Sequence, residues 1–154
     1  MKKILTINLL FFLLISCGFA PIYSANKKVN FYIEDIQFNN SDREMANFIK
    51  SNLNNYFIKN NGKKFIIEAS IDYKKNSISK NSSGKTEEYE LSSILTLIVT
   101  HDELSKSFQI KETFRMKNFS DEFKEIQFER NSKKNMARSI TSRLLMQLGL
   151  FNVN

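Results

Sequence analysis

A chain of 154 residues is long enough for one domain with a real core and too short for two comfortable ones. It carries 23 Lys and Arg against 16 Asp and Glu, a formal +7 at pH 7, which suits anionic partners without identifying one. A single histidine, a single cysteine and four glycines exclude a zinc site built from histidines, an intramolecular disulfide and a glycine-rich phosphate cradle. The joint richness in Lys, Asn, Ile and Phe is also what AT-rich codons produce, so basicity alone does not specify a ligand.

Lys2 and Lys3 precede an apolar run of 12 residues, Ile4 to Ile15, broken only by Thr6 and Asn8, and Ser16-Cys17 follow. A charged start, an apolar middle and a small residue before the cut make a secretory signal peptide, predicted here over 1–16. The run falls well short of the roughly 20 apolar residues that span a bilayer. Leu14-Ile15-Ser16-Cys17 resembles the lipobox of bacterial lipoproteins, with Leu at −3, Ser at −1 and Cys at +1. That resemblance makes Cys17 the new N-terminus and the lipid attachment site. One acyl chain holds a protein only marginally, at about 0.8 kcal/mol per buried CH₂; the three chains of such lipoproteins would make attachment effectively permanent. In lipoproteins of this kind an aspartate after the cysteine retains the protein in the inner membrane. Gly18 stands there, which implies the periplasmic side of the outer membrane. Only Lys2 and Lys3 of the basic residues leave with the leader, so the mature chain stays at about +5. Export removes nucleic acid from the expected partners.

Residues 17–28 read as an acylated N-terminus and tether containing Pro21, the only proline, and the folded domain is expected over 29–154. Val29, Phe31 and Ile33 alternate with Asn30, Tyr32 and Glu34, the period of a first strand. Asn39-Asn40 breaks it. Ser41 and Glu44 form a predicted capping box, and Met45, Phe48, Ile49, Leu53, Tyr56 and Phe57 follow as one helical stripe. Asn60-Asn61-Gly62 is expected to end that helix, with Gly62 left-handed. Phe65, Ile67, Ala69, Ile71 and Tyr73 alternate in a second strand, expected parallel to the first across a right-handed crossover. Lys74 to Glu88 lacks an apolar pattern and reads as strand ends flanking an exposed hairpin loop. Tyr89, Leu91, Leu95, Leu97 and Val99 share one face of a third strand, with Glu90, Ser92, Thr96 and Thr100 on the other. His101-Asp102-Glu103 turns the chain into a fourth strand of Phe108, Ile110, Phe114 and Met116, its face interrupted by Glu112. A long helix is expected to begin between Phe123 and Asn131. Its stripe is Met136, Ala137, Ile140, Leu144, Leu145 and Leu148, and Gly149 closes it.

The order β-α-β-β-β-α predicts an α+β fold. One apolar sheet face and two amphipathic helices bury each other most simply as a two-layer sandwich, two helices on a four-stranded mixed sheet.

Three blocks resemble a known family. Cys17-Gly18-Phe19-Ala20-Pro21-Ile22-Tyr23 is similar to the Cys-Gly-Phe-x-Pro-Leu-Tyr start of LptE, the lipopolysaccharide-assembly lipoprotein, in its alphaproteobacterial form. Gly84-Lys85-Thr86-Glu87-Glu88-Tyr89-Glu90-Leu91 resembles the family's Gly-x-x-x-x-Tyr/Phe-x-Leu segment. Glu129-Arg130-Asn131, Met136-Ala137 and Ile140 to Leu148 resemble its final helix. The resemblance implies the same two-helix, four-stranded fold. It also implies a plug inside an LptD-like outer-membrane β-barrel, an aid to that barrel's assembly and a contact for lipopolysaccharide. On this resemblance the lipopolysaccharide-binding residues are Lys80 and Lys85 on the hairpin, and Lys124 or Arg130 near the start of the last helix. Read from the residues alone, the same lysines are equally solvating charges.

Nothing in the chain points to an enzyme, a metal or a cofactor. His101 beside Asp102 and Glu103 reads as a turn residue, and Glu87, Glu88 and Glu90 lack calcium-loop spacing. The alternative to a barrel plug is a free-standing, periplasm-facing lipoprotein that binds another envelope component. Tyr32, Tyr56 and Tyr73, with the polar faces of strands three and four, are candidate contacts for a partner.

Overall fold

The computed structural model describes residues 30–151. The leader, Cys17, the tether, Val29 and residues 152–154 lie outside the described residues. In chain order come β1 (Phe31–Phe38), α1 (Arg43–Asn52), a 3₁₀ turn (Asn54–Tyr56), β2 (Lys63–Lys80), β3 (Thr86–His101), β4 (Leu104–Lys117) and α2 (Glu122–Gly149). The strands form one sheet ordered β1-β2-β3-β4. β1 and β2 are parallel, and the other two pairs are antiparallel. This is the expected α+β sandwich, with both helices on one face.

Alternation holds where it was expected in β2 and β3. Phe65, Ile67, Ala69 and Ile71 are buried beneath the helices with Leu91, Leu95, Leu97 and Val99. Met45, Ile49 and Leu53 press down from the α1 side, and Met136, Ala137, Ile140, Leu144 and Leu148 from α2. At one end of the sheet Phe65 is the centre of a ring cluster. It meets Phe31 at 5.6 Å, Phe151 at 5.2 Å and His101 at 5.4 Å, edge-on or tilted, the arrangements that aromatic quadrupoles favour. His101 is therefore more than a turn residue: its Nδ1 lies 2.9 Å from the Lys64 carbonyl, and its ring is packed between two phenylalanines.

Several local expectations are corrected by long-range contacts. The period of β1 breaks at Glu34, where a bulge shifts the register between Ile33 and Asp35 and moves the next inward position to Ile36. The cap of α1 is Asp42, whose Oδ1 accepts from the Met45 N–H at 2.9 Å. Ser41 instead donates to the Asn39 carbonyl and accepts from the Ile71 N–H, tying the helix start to β2. Glu44 faces α2 rather than its own helix end, 3.0 Å from Arg130 and 3.4 Å from Lys133. The helix stops at Asn52, ten residues before Gly62. Gly62 is needed for closeness, not handedness: a Cβ there would lie 2.2 Å from the Asn30 carbonyl carbon. The left-handed glycine is Gly84, with φ +79°, in the hairpin turn. α2 begins at Glu122, just ahead of the expected window, because Asp121 caps it by accepting from the Phe123 and Lys124 N–H groups.

Unequal strand lengths position everything that follows. β1 pairs only with Lys63–Ala69, whereas the β2–β3 pairing continues to Lys80 and Thr86. Eighteen residues of β2 at about 3.3 Å each extend roughly 60 Å. The chain enters β1 at the end of the sheet that holds Phe65 and Phe151. The 81–85 hairpin turn lies at the opposite end.

Candidate functional site at the hairpin end

The hairpin turn is built by Asn81. Its Oδ1 accepts from the Ser83 and Lys85 N–H groups, and its carbonyl accepts from Gly84. Beside the turn an open cleft of about 790 Å³ is lined by Lys85, Lys117, Glu87, Glu88, Asn118 and Phe119, among others. Lys80 ends β2 and Lys85 lies in the turn, both exposed. Lys124 sits at the start of α2, 3.8 Å from Asp121. Three of the four basic candidates thus share one end of the molecule. Arg130 does not join them. Six residues further along α2, about 9 Å by the helical rise, it is paired with Glu44 of α1. Lys117, which the sequence did not single out, joins Lys85 in the cleft. Antiparallel pairing of β3 and β4 puts it opposite Glu88. The cleft thus holds two lysines and two carboxylates, and Lys80 lies outside its lining.

Below the cleft, a polar row crosses the helix-facing side of the sheet. Tyr73, Ser93 and Glu112 are cross-strand neighbours on β2, β3 and β4. Tyr73 donates to Glu129 of α2 at 2.8 Å. Glu112 accepts from Ser139 at 2.8 Å and lies 3.0 Å from Arg143. Ser93 is fully buried, and its hydroxyl has no partner among the described residues. The missing apolar residue between Leu91 and Leu95 was the sequence signal for this row. Glu112 was seen to interrupt its face, and Ser93 was missed.

One turn nearer the tip, Lys75 bridges Glu125 at 2.6 Å and Glu129 at 3.0 Å and lies 4.5 Å over the Tyr89 ring. Burial alone would lower the Lys75 pKa, but hydrogen bonds to the two carboxylates outweigh it and raise it. The same contest, with sign reversed, leaves Glu129 below the usual carboxylate range: burial raises it, and Lys75 and Tyr73 pull it down further. Burial, then the bond to Glu129, pushes the Tyr73 hydroxyl up. Lys133 completes the network, 3.2 Å from Asp42 and 4.1 Å over the Tyr73 ring. Tyr73 is thus a structural tyrosine. Tyr32 is buried, and Tyr56 stacks on Phe31 at 5.8 Å. Tyr32 and Tyr73 are thus tied into the fold, and Tyr56 keeps part of its surface exposed.

The face of the sheet away from the helices is uncovered. It presents Glu68, Ser70, Asp72, Thr96, Gln109 and Thr113 with a few aliphatics such as Ile66 and Ile98. This is a hydrogen-bonding surface rather than an apolar one. Among the described residues no helix is long and apolar enough to cross a membrane, and no cluster of His, Cys, Asp and Glu could hold a metal ion.

This α+β sandwich is a fold seen in solved bacterial lipoproteins. The chain is similar to rare lipoprotein B from Shewanella oneidensis, with a TM-score of 0.57 at 14% identity, covering 76% of this chain and 92% of that one. A minor lipoprotein from Acinetobacter baumannii aligns with a TM-score of 0.54 at 10% identity over 79% and 92% of the two chains. Lipoprotein B from Nitrosomonas europaea gives 0.54 at 15% identity over 77% and 83%. At these identities the likeness is one of fold. No protein-family profile and no curated protein sequence matches the chain.

Proposed function

We propose that this protein is a lipid-anchored lipoprotein of the bacterial outer membrane, facing the periplasm, that plugs an LptD-like β-barrel, helps it assemble and takes part in lipopolysaccharide transport. The observation that carries the reading is the fold. It is shared with rare lipoprotein B and other solved lipoproteins, on a chain whose Leu14-Ile15-Ser16-Cys17 is a full lipobox and whose next six residues resemble alphaproteobacterial LptE. The bare sheet face supports it, because the lumen of an outer-membrane barrel is polar and is met by hydrogen-bonding groups. In this role the protein is a subunit rather than an enzyme. Lys80 and Lys85 at the hairpin rim would meet lipid phosphates, with Lys124 behind them; Arg130, committed to Glu44, is the weakest of the four candidates.

Affinity capture of the tagged full-length lipoprotein from detergent-solubilised outer membranes tests the reading. A stoichiometric large β-barrel that survives stringent washing is expected. Recovery of the lipoprotein alone, folded and monomeric, would sink it and leave a free-standing envelope binder. With the barrel bound, the double reversal Lys80→Glu/Lys85→Glu is expected to weaken binding to lipopolysaccharide-containing vesicles at least tenfold while barrel capture is unchanged. Unaltered vesicle binding would remove these lysines from the site.

A further inference from the structure

Over half its length β2 is paired along one edge only, with β3, and is open along the edge that elsewhere meets β1. Its backbone groups face β1 at alternate residues: the Ala69 carbonyl accepts from Asn39, the Ile71 carbonyl accepts from Asp42, and the Ile71 N–H donates to Ser41. Beyond Ile71 the chain has left for α1. The alternation continues, because pairing with β3 stays regular to Ser77, so the N–H and C=O groups of Tyr73, Lys75 and Ser77 point outward at the same edge. No backbone partner meets them among the described residues.

The helix above this edge is also bare. Arg130 faces α1 through Glu44. Ile126 and Phe123 lie four and seven residues earlier on that side of α2, so they continue the α1-facing stripe past the point where α1 begins. Both are highly exposed, at 57% and 67%, while Phe128 on the opposite flank packs against Phe114 and Phe119. A notch therefore runs beside β2, with a strand edge as one wall and two apolar side chains overhead. Its lower end is closed by Lys133 and Asp42. Arg43 adjoins that end and Lys80 the other; neither has an ion-pair partner among the described residues, whereas the notch's own carboxylates, Glu125 and Glu129, are both turned inward onto the one Lys75 they share.

We infer that this notch is a strand-addition site: an extended segment of a partner protein pairs with Tyr73–Ser77, sets alternate apolar side chains under Phe123 and Ile126, and places carboxylates near Arg43 and Lys80. An unpaired ladder demands an extended main chain, since only backbone groups at strand spacing match its donors and acceptors. The apolar overhang selects alternating apolar side chains, and the two unpaired cations select acidic flanks. Lipid would satisfy the overhang but not the ladder. A second copy of this chain would bring its own Arg43 and Lys80 to the notch in place of carboxylates. The inference goes beyond the barrel reading and does not require it, since any envelope protein could supply the segment.

The test is the full-length lipoprotein carrying p-benzoylphenylalanine in place of Ile126, irradiated in intact cells, with the crosslinked peptide sequenced. One protein adduct is expected, on a segment of alternating apolar residues with acidic flanks. A synthetic peptide of that segment should slow hydrogen exchange at the Tyr73, Lys75 and Ser77 amides at least tenfold. Ser77→Pro removes an edge donor and no β3 hydrogen bond, and should cut the adduct at least tenfold. Phe123→Ser, at an exposed position that leaves folding intact, should cut it about fivefold and decides the matter if the proline variant does not fold. Adducts to lipid only, to a second copy, to a helical segment or to nothing overturn the inference, as does an adduct undiminished in both variants. Failure of barrel capture with these results intact would remove the barrel reading alone.

Discussion

The two halves of the sheet are held by different physics. Where the sheet includes β1 and is covered by α1, the interior is apolar: Phe31, Ile33, Met45, Ile49, Phe65, Ile67 and Val99 belong to one core cluster with the inner residues of α2, with little polar intrusion. Toward the hairpin only α2 covers it, and the contacts are the Tyr73–Glu129–Lys75–Glu125 network, the Glu112 pairs and a half-exposed trio of Phe114, Phe119 and Phe128. Apolar burial contributes about 25 cal/mol per Å² without regard to direction, and it fixes the first half firmly. Ion pairs offset their own desolvation only when well placed. They define the geometry of the second half while adding little to its stability. The ion-paired half is also the one that leaves large apolar side chains exposed, Phe123 and Ile126 among them.

Truncation breaks this comparison most directly. Phe65→Ala leaves a cavity at the centre of the ring cluster and is expected to cost about 3–5 kcal/mol in urea unfolding. Phe128→Ala, on a ring already one-third exposed, should cost about 1 kcal/mol. Comparable losses from the two would show the halves to be equally packed.

Lys75→Met comes next. It leaves Glu125 and Glu129 facing each other without their cation, and about 1–2 kcal/mol should be lost. Acid sharpens the point. The folded Glu129 titrates below the ordinary value of about 4.3. Its stabilisation is therefore fully present above that value and disappears as pH falls through the folded one. Thermal melts of the protein and of Glu129→Gln should accordingly differ at pH 6 and draw together as pH falls below the ordinary carboxylate value; a constant difference would show that Glu129 acts by packing alone.

The smallest effect expected is at Ser93. Its hydroxyl is buried without a partner, so Ser93→Ala removes an uncompensated polar atom and should lie within about 0.5 kcal/mol of neutral or stabilise. A loss above about 1 kcal/mol in urea titration would reveal a bonded water in the polar row.

Much of the fold was legible because it is written in local period. β2 from Phe65 to Ile71 and β3 from Leu91 to Val99 are buried at every second residue, and the α2 stripe from Met136 to Leu148 recurs at helical spacing. The candidate site was legible only in part. Lys80, Lys85 and Lys124, singled out only through the family resemblance, share the hairpin end, and it is the packing of α2 on the sheet that brings Lys124 there. Arg130 was spent on Glu44, a residue 86 positions away in the chain, which no local pattern reveals. Lys117 joined the cleft through strand pairing, a register that residue types near the hairpin do not encode.

Sequence by itself determined the order of elements and most of the faces they bury, because periods of 2 and 3.6 are properties of neighbouring residues. Tertiary structure alone decided which residue caps α1, why position 62 must be glycine, how the charges pair across β2 and α2, and that half of β2 is paired along one edge only. Each of these depends on where a distant backbone or side chain arrives, and that is set by the packing of the whole sheet against its helices.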